Sequence, residues 1–251
     1  MIIAADVTTR RAGASGDEVG GERSTRTVLK PEVDLGVVDR AETLAEQAYT
    51  NIKIALMNGL LAPGEAVSVR RIATTFGISL TPAREALMRL SAERALDVDP
   101  RRTFSVPVLN RRSYVELLTI RLMLEGHATE VAATEMSPAK IDELVAVNAQ
   151  FSDAIDRDAL KQSLELNRLF HFTIYQAADM PDLFGLIEGL WLRVGPVFNL
   201  LYPDYQRAGR GLNNHLEAID AIRARDAPRA RAAIEQDLNQ GAEYLLQLLD
   251  Q

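Results

Sequence analysis

The 251 residues include only three histidines and no cysteine. Thiolate zinc sites, disulfides and cysteine nucleophiles are therefore excluded, and any metal or acid–base chemistry has to come from a handful of side chains. Two of the histidines sit in helical patterns that turn them inward. Asn167 and His171 are four residues apart and share a face with Leu164 and Ile174, while His215 shares its face with Ile219 and Ile222. Asp237 falls on an inward face with Ile234, Gly241 and Leu248. A lone inward histidine is ordinarily a hydrogen-bonded core residue. Two that face one cavity, with a carboxylate at hand, meet the needs of a borderline divalent ion such as Zn²⁺, Ni²⁺ or Mn²⁺; the same groups without metal form a pocket that grips a small ligand directly. Arg121 shares its face with Tyr114, Leu117, Leu118, Glu125 and Ala128, so a positive charge points into an apolar interior. Either Glu125, one turn away, neutralises it, or the guanidinium fork clamps a carboxylate. In the second case the ligand is a small organic acid, sugar acid or amino acid. His127, among Ile120, Met123, Leu124 and Val131, reads as a packing or interface residue.

A second group of residues suits nucleic acid. The formal net charge is −7, which on its face argues against a DNA partner. The charge is unevenly spread, however. Residues 66–103 hold seven basic and four acidic side chains, and the whole −7 belongs to residues 110–251. Arg84 is placed for a bidentate contact to guanine, Thr81 for a phosphate at a helix N-terminus, and Arg70 and Arg71 for phosphates. Arg101 and Arg102 lie at a hairpin tip that reaches a minor groove or the backbone. The competing reading makes Arg84 and Arg89 a solvated face paired with Glu85 or Glu93.

The elements that position these residues follow from spacing. Residues 1–35 lack periodicity and read as a disordered arm. Within residues 36–109, a first helix carries Leu44, Ala48, Ile52, Ala55 and Leu56 and ends at Gly59. A second spans Val69 to Phe76 between the cap Ser68 and the stop Gly77. A third starts with Thr81 as cap and Pro82 at its first position, with the stripe Ala83, Ala86, Leu87 and Leu90 inward. A hairpin over residues 95–106 completes a winged helix-turn-helix. Residues 110–251 read as six helices, at about 111–135, 138–156, 159–178, 181–202, 206–225 and 227–249, in an antiparallel bundle, with Pro196 kinking the fourth. The fold class is mostly α. No apolar run approaches the roughly 20 residues that span a bilayer, and the reading is of a cytoplasmic protein with no membrane partner.

The run Pro63-Gly64-Glu65, Ser68 to Ala73 and Gly77 to Leu87 resembles the GntR family of bacterial transcription regulators. That resemblance implies operator contacts from Arg70, Thr81 and Arg84. The chain departs from the family at Leu80, where an arginine is usual, and at Arg101-Arg102, where the family has Arg-Gly. The helical half, about residues 111–249, resembles the FCD effector domain in its shorter, VanR-like form. Asn167 to His171 is similar to that domain's Asp-x-x-x-His motif, and His215 to Ile219 with Arg225-Asp226-Ala227 to its later histidine motif. The resemblance implies a divalent-metal site. Here it would comprise Asn167, His171, His215 and Asp237, with Asn167 in place of an aspartate and Asp237 in place of a third histidine. It also implies a ligand-clamping role for Arg121, and in the metal-free alternative Asn167, His171 and His215 grip the effector with it.

Together these features describe a homodimeric, ligand-responsive regulator that reads a palindromic operator and senses a small carboxylate. A metal-dependent enzyme with a passenger winged domain is the alternative. The chain offers it no Gly-rich phosphate loop, no nucleophile paired with histidine and no evident general base. A purely architectural DNA-binding protein leaves the acidic bundle unexplained.

Overall fold

The computed structural model describes residues 42–100, 103–201 and 210–249. The arm at 1–35, Arg101 and Arg102 lie outside the described residues. The first helix, α1 (Leu44–Met57), starts where the Thr43 hydroxyl accepts the Glu46 N–H at 3.1 Å. It buries Ala45, Ala48, Tyr49, Ile52, Leu56 and Met57. Leu44, expected on that face, is exposed, because at the first turn it precedes the packing surface. Next, α2 (Val69–Phe76) is capped by Ser68, whose Oγ accepts the Arg71 N–H at 3.0 Å, and it stops at Gly77 in the left-handed region (φ 65°).

The following helix, α3 (Leu80–Ala92), begins two residues before the expected start. Ser79, not Thr81, is the N-cap residue, and Pro82 sits at the third helical position. The first-turn N–H groups have no intrahelical partners, so proline is tolerated throughout that turn as well as at its first residue. The inward stripe Ala83, Ala86, Leu87 and Leu90 is as read from spacing.

The wing is a three-stranded antiparallel sheet in which β1 (Ala66–Val67) and β2 (Asp97–Val98) flank β3 (Phe104–Ser105). The sequence revealed only the β2–β3 hairpin. The two-residue β1 is too short for a period-2 signal, yet it registers Val67 against Phe104, and both side chains are buried.

Among the described residues six long helices follow: α4 (Arg111–Glu135), α5 (Pro138–Asp156), α6 (Leu160–Gln176), α7 (Pro181–Phe198), α8 (Arg210–Arg223) and α9 (Ala227–Leu249). Helix α9 packs on α4 and α8, and α5 on α6 and α8. Pro138 and Pro181 stand in the first turns of α5 and α7, as the sequence suggests. Pro196 lies inside α7, which passes into a 3-10 turn at Asn199–Leu201. The stretch Pro181–Leu201 reaches a mean hydropathy of 1.2 over a membrane-spanning length, which revises the reading that no run is apolar enough. Half of it is buried against the bundle, with Ile187, Trp191, Leu192 and Val194 in the core. That is the pattern of a core helix.

The winged part meets the bundle through α1 and α7. Gly195 lies against the Leu56 carbonyl and the Met57 backbone, so a methyl group there would sit 2.6 Å from the Met57 Cα. Backbone cannot yield as a side chain tip does. Around this contact Lys53 pairs with Glu188, and Arg168 Nε donates to Asn58 Oδ1 at 2.6 Å. We expect Gly195→Ala to destabilise the protein by about 1–3 kcal/mol in thermal denaturation, as overpacking does. Gly189→Ala on the same helix, where a methyl meets nothing within 4 Å, should instead stabilise it by about 0.5–1 kcal/mol. Equal effects at the two positions would contradict this packing.

Candidate effector and metal site, and the DNA-reading face

Three of the four residues expected to hold a metal come together in the bundle. One nitrogen each of His171 and His215 and one oxygen of Asp237 all lie within 4.8 Å of one another. His171 is on α6, His215 on α8 and Asp237 on α9, and all three are buried. The fourth, Asn167, lies one turn before His171 and lines a cavity together with His171 and Asp237, whereas His215 sits behind its wall and does not line it.

Hydrogen bonds decide what each imidazole presents to the others. His215 Nδ1 meets Asn148 Oδ1 at 3.1 Å. A carbonyl oxygen accepts only, so the proton is on Nδ1 and Nε2 carries a lone pair. That Nε2 is buried and has no hydrogen-bond partner among the described residues. Burial, opposed by Asp237, pushes the His215 pKa down to about 3, so the ring is neutral at physiological pH. Phe170 stacks on it with centroids 3.7 Å apart and fixes the ring plane.

His171 is set by a longer chain. The Tyr175 hydroxyl donates its one proton to Glu125 Oε2 at 2.6 Å, and burial raises the Tyr175 pKa well above its ordinary value. Its oxygen therefore accepts from His171 Nδ1 at 3.1 Å, which leaves His171 Nε2 facing Asp237 Oδ2 at 3.3 Å. Two acceptors that face each other need a shared positive centre, a proton or a metal ion. Burial pushes the Asp237 carboxyl up, but a hydrogen bond shared with His171 Nε2 and one from Asn214 outweigh that and hold it below the usual carboxylate value. Both Nδ1 atoms are thus tied back by outer partners, which leaves the two Nε2 atoms as the ring nitrogens available beside an ionised carboxylate. The two-histidine, one-carboxylate set fits a borderline divalent ion.

Arg121 makes the internal pair. Its Nε and Nη2 donate to Glu125 at 2.6 and 3.3 Å, with the two side chains 3% and 0% exposed. It also lines the cavity, with its guanidinium carbon 5.1 Å from the Trp191 ring centroid and 5.4 Å from that of Phe198. A guanidinium has five N–H donors, so pairing with Glu125 does not exhaust it. The cavity, about 60 Å³, is walled by Tyr114, Phe151, Trp191 and Leu238 among others. His127 sits apart on the outer face of α4, half exposed, 4.0 Å from Glu130.

Sequence reasoning missed Asn148, Tyr175, Asn214 and Trp191. The Tyr175 partnership was available from spacing, since it follows His171 by four residues on one face. Asn148 reaches His215 from α5, a tertiary approach with no local signal. Asn214 donates to Asp237 Oδ1 at 3.4 Å and to Gln240 Oε1 at 2.9 Å, bracing the carboxylate.

On the winged part, Arg70, Thr81 and Arg84 are exposed, and neither arginine makes an ion pair among the described residues. Arg71 pairs with Glu65 at 3.0 Å while remaining largely exposed. The solvated-face reading holds for Arg89, which lies 3.7 Å over the Tyr49 ring and pairs with Glu46 and Glu93. Arg84, in contrast, pairs with neither Glu85 nor Glu93. The Tyr49 hydroxyl is in turn bound by both oxygens of Glu93, so Arg89 helps fasten α3 to α1.

Residues 44–106 match the family described as bacterial regulatory proteins, gntR family, and residues 116–240 match the FCD domain. The HTH-type transcriptional regulator McbR of Escherichia coli (strain K12) is 32% identical over 209 residues, covering 82% of this chain and 94% of that protein. The gluconate operon transcriptional repressor of Bacillus subtilis (strain 168) is 28% identical over 218 residues, with 81% and 83% covered. The solved structure of E. coli McbR/YncC superposes with a TM-score of 0.77 at 32% identity, over 82% of this chain and 98% of that one.

Proposed function

The chain belongs to the GntR family of bacterial regulatory proteins and carries an FCD domain, and from that premise we propose that it senses a small carboxylate in its bundle and changes its hold on operator DNA in response. That it is a DNA-binding transcription regulator, not the enzyme of the alternative reading, follows from relatives named as regulators and repressors. Regulators of this family bind operators and usually act as dimers, and the family's place is the cytoplasm.

In the proposed arrangement residues 36–109 are the reading head, residues 110–251 the sensor and dimerisation domain, and residues 1–35 an arm. Arg84 reads guanine, while Arg70, Arg71, Thr81, Arg101 and Arg102 hold backbone, in two heads of a homodimer on a palindromic operator. His171, His215 and Asp237, with Asn167 beside them, would hold a divalent cation, which when bound supplies a positive centre for an anionic ligand. The observation that carries the sensor reading is the buried His215 Nε2, without a hydrogen-bond partner among the described residues, on a ring that offers one nitrogen within 4.8 Å of a His171 nitrogen and an Asp237 oxygen.

Charge supports a carboxylate. Glu125 neutralises Arg121, so Asp237 leaves the cavity with a net negative charge, and a divalent cation makes it net positive. The remaining donors of Arg121 and the Asn167 amide then orient the ligand. A cavity of about 60 Å³ is well under the roughly 150 Å³ that admits benzene, which favours a short acid. The response has a structural route. Trp191 and Phe198 of α7 wall the cavity, and Gly195 of the same helix bears on α1 of the reading head. Only a ligand that binds the two arrangements unequally shifts them.

The test is thermal denaturation with acetate, lactate and succinate, each with and without Zn²⁺. A short acid should raise the melting temperature only when Zn²⁺ is present. Stabilisation without metal would favour direct grip by the polar groups, and no effect of any acid would contradict the carboxylate reading.

A further inference from the structure

The outer edge of α3 carries an arrangement that phosphate binding and guanine readout leave unexplained. Leu80 and Met88 are 52% and 51% exposed. They stand four residues to either side of Arg84, so apolar, basic and apolar side chains follow one another along one edge at about 6 Å intervals. The inward stripe of α3 satisfies the core without either of them. Single exposed apolar residues are ordinary; two that flank the one unpaired arginine of a groove-entering helix call for a partner.

Thymine alone offers the major groove a methyl group. We propose that Leu80 is a specificity-determining residue that packs on the 5-methyl group of a thymine in each operator half-site, within about two base-pair steps of the guanine bound by Arg84. The proposal rests on the reading of α3 as the helix that enters the groove. Leu80 is the first residue of α3, and N-terminal residues of such helices lie nearest the base edges. Its side chain has no polar atom, so it neither holds a phosphate nor reads a donor or acceptor. What it can recognise is shape and apolar surface, and in B-DNA that surface is the thymine methyl.

The experiment has two stages. The full chain selects duplexes from a random-sequence pool, and the selection is repeated with Arg84→Ala to identify the guanine whose preference disappears. Each thymine near that guanine is then replaced by deoxyuridine, which keeps base pairing and removes only the methyl, and affinity is measured by fluorescence anisotropy. The wild-type chain should bind about three- to fivefold more weakly at one uracil-substituted position per half-site, the scale of one methyl group taken out of water. Leu80→Ala, an exposed substitution to the best helix former, should bind thymine and uracil forms alike. Absence of a uracil effect at every position, or the same effect in Leu80→Ala, overturns the proposal. A pool without a consensus, or one unchanged by Arg84→Ala, instead overturns the reading of α3 beneath it.

Discussion

Glu125→Ala is expected to destabilise the protein by about 3–5 kcal/mol, the usual effect of stranding one member of a buried ion pair. Arg121 and Glu125 are both essentially inaccessible, at 3% and 0% exposure. Without the carboxylate, Arg121 is left charged in a cavity of aromatic and aliphatic walls, and burial alone does not bring a guanidinium to neutrality. The loss spreads further. Tyr175 loses the acceptor of its only proton, and with it the bond that orients His171. For a chain of this size each kcal/mol moves the melting temperature by about 2–4 °C, so a calorimetric scan resolves the effect. Arg121→Met with Glu125→Leu should recover most of the stability, since apolar replacement of a buried pair is often neutral. A single Glu125→Ala change with the ordinary cost of about 1 kcal/mol would show that Arg121 is not held by Glu125.

The second large effect concerns the carboxylate across the cavity. Zn²⁺ at a hundred to a thousand times its dissociation constant should stabilise the wild-type chain by about 2.7–4.1 kcal/mol, and Asp237→Asn should abolish most of that gain. The variant preserves volume, and its amide oxygen still accepts from Asn214, as Asp237 Oδ1 does. What it removes is the anion that faces His171 Nε2 and lies within the same cluster as His215. Without Zn²⁺ the variant should fold, and its stability in chelator supplies the baseline. An equal Zn²⁺ shift in the two proteins would place the ion elsewhere, among the exposed acids of the bundle.

How far the sequence reaches depends on how local each signal is. The Ser68 cap, the Gly77 stop and the stripe on α3 are short-range features, and they place α2 and the inward face of α3 as observed. The α3 start was displaced because Pro82 marks a first turn without marking which residue of it. The strand β1 escaped notice because two residues carry no period. In the bundle, helical spacing correctly turned His171, His215, Asp237 and Arg121 inward, since a helix face is a property of neighbours in sequence. Which groups meet across helices is not. Asn148 bonding His215 from α5, and the Trp191 and Phe198 rings beside Arg121, arise only when helices pack. Net charge misled in the same way: −7 is a property of the whole chain, whereas residues 66–103, within the proposed reading head, are net basic.

The claim that the bundle site governs DNA binding meets its most direct test in one titration. The full chain, with an operator recovered by selection, is titrated by fluorescence anisotropy in Zn²⁺ and again in chelator, in wild-type and Asp237→Asn forms. The account predicts that operator affinity of the wild-type chain differs by about tenfold or more between the two conditions, a coupling of roughly 1.4 kcal/mol. In Asp237→Asn the two curves should coincide. Identical wild-type affinities in Zn²⁺ and in chelator, with Zn²⁺ bound at His171, His215 and Asp237, would contradict it.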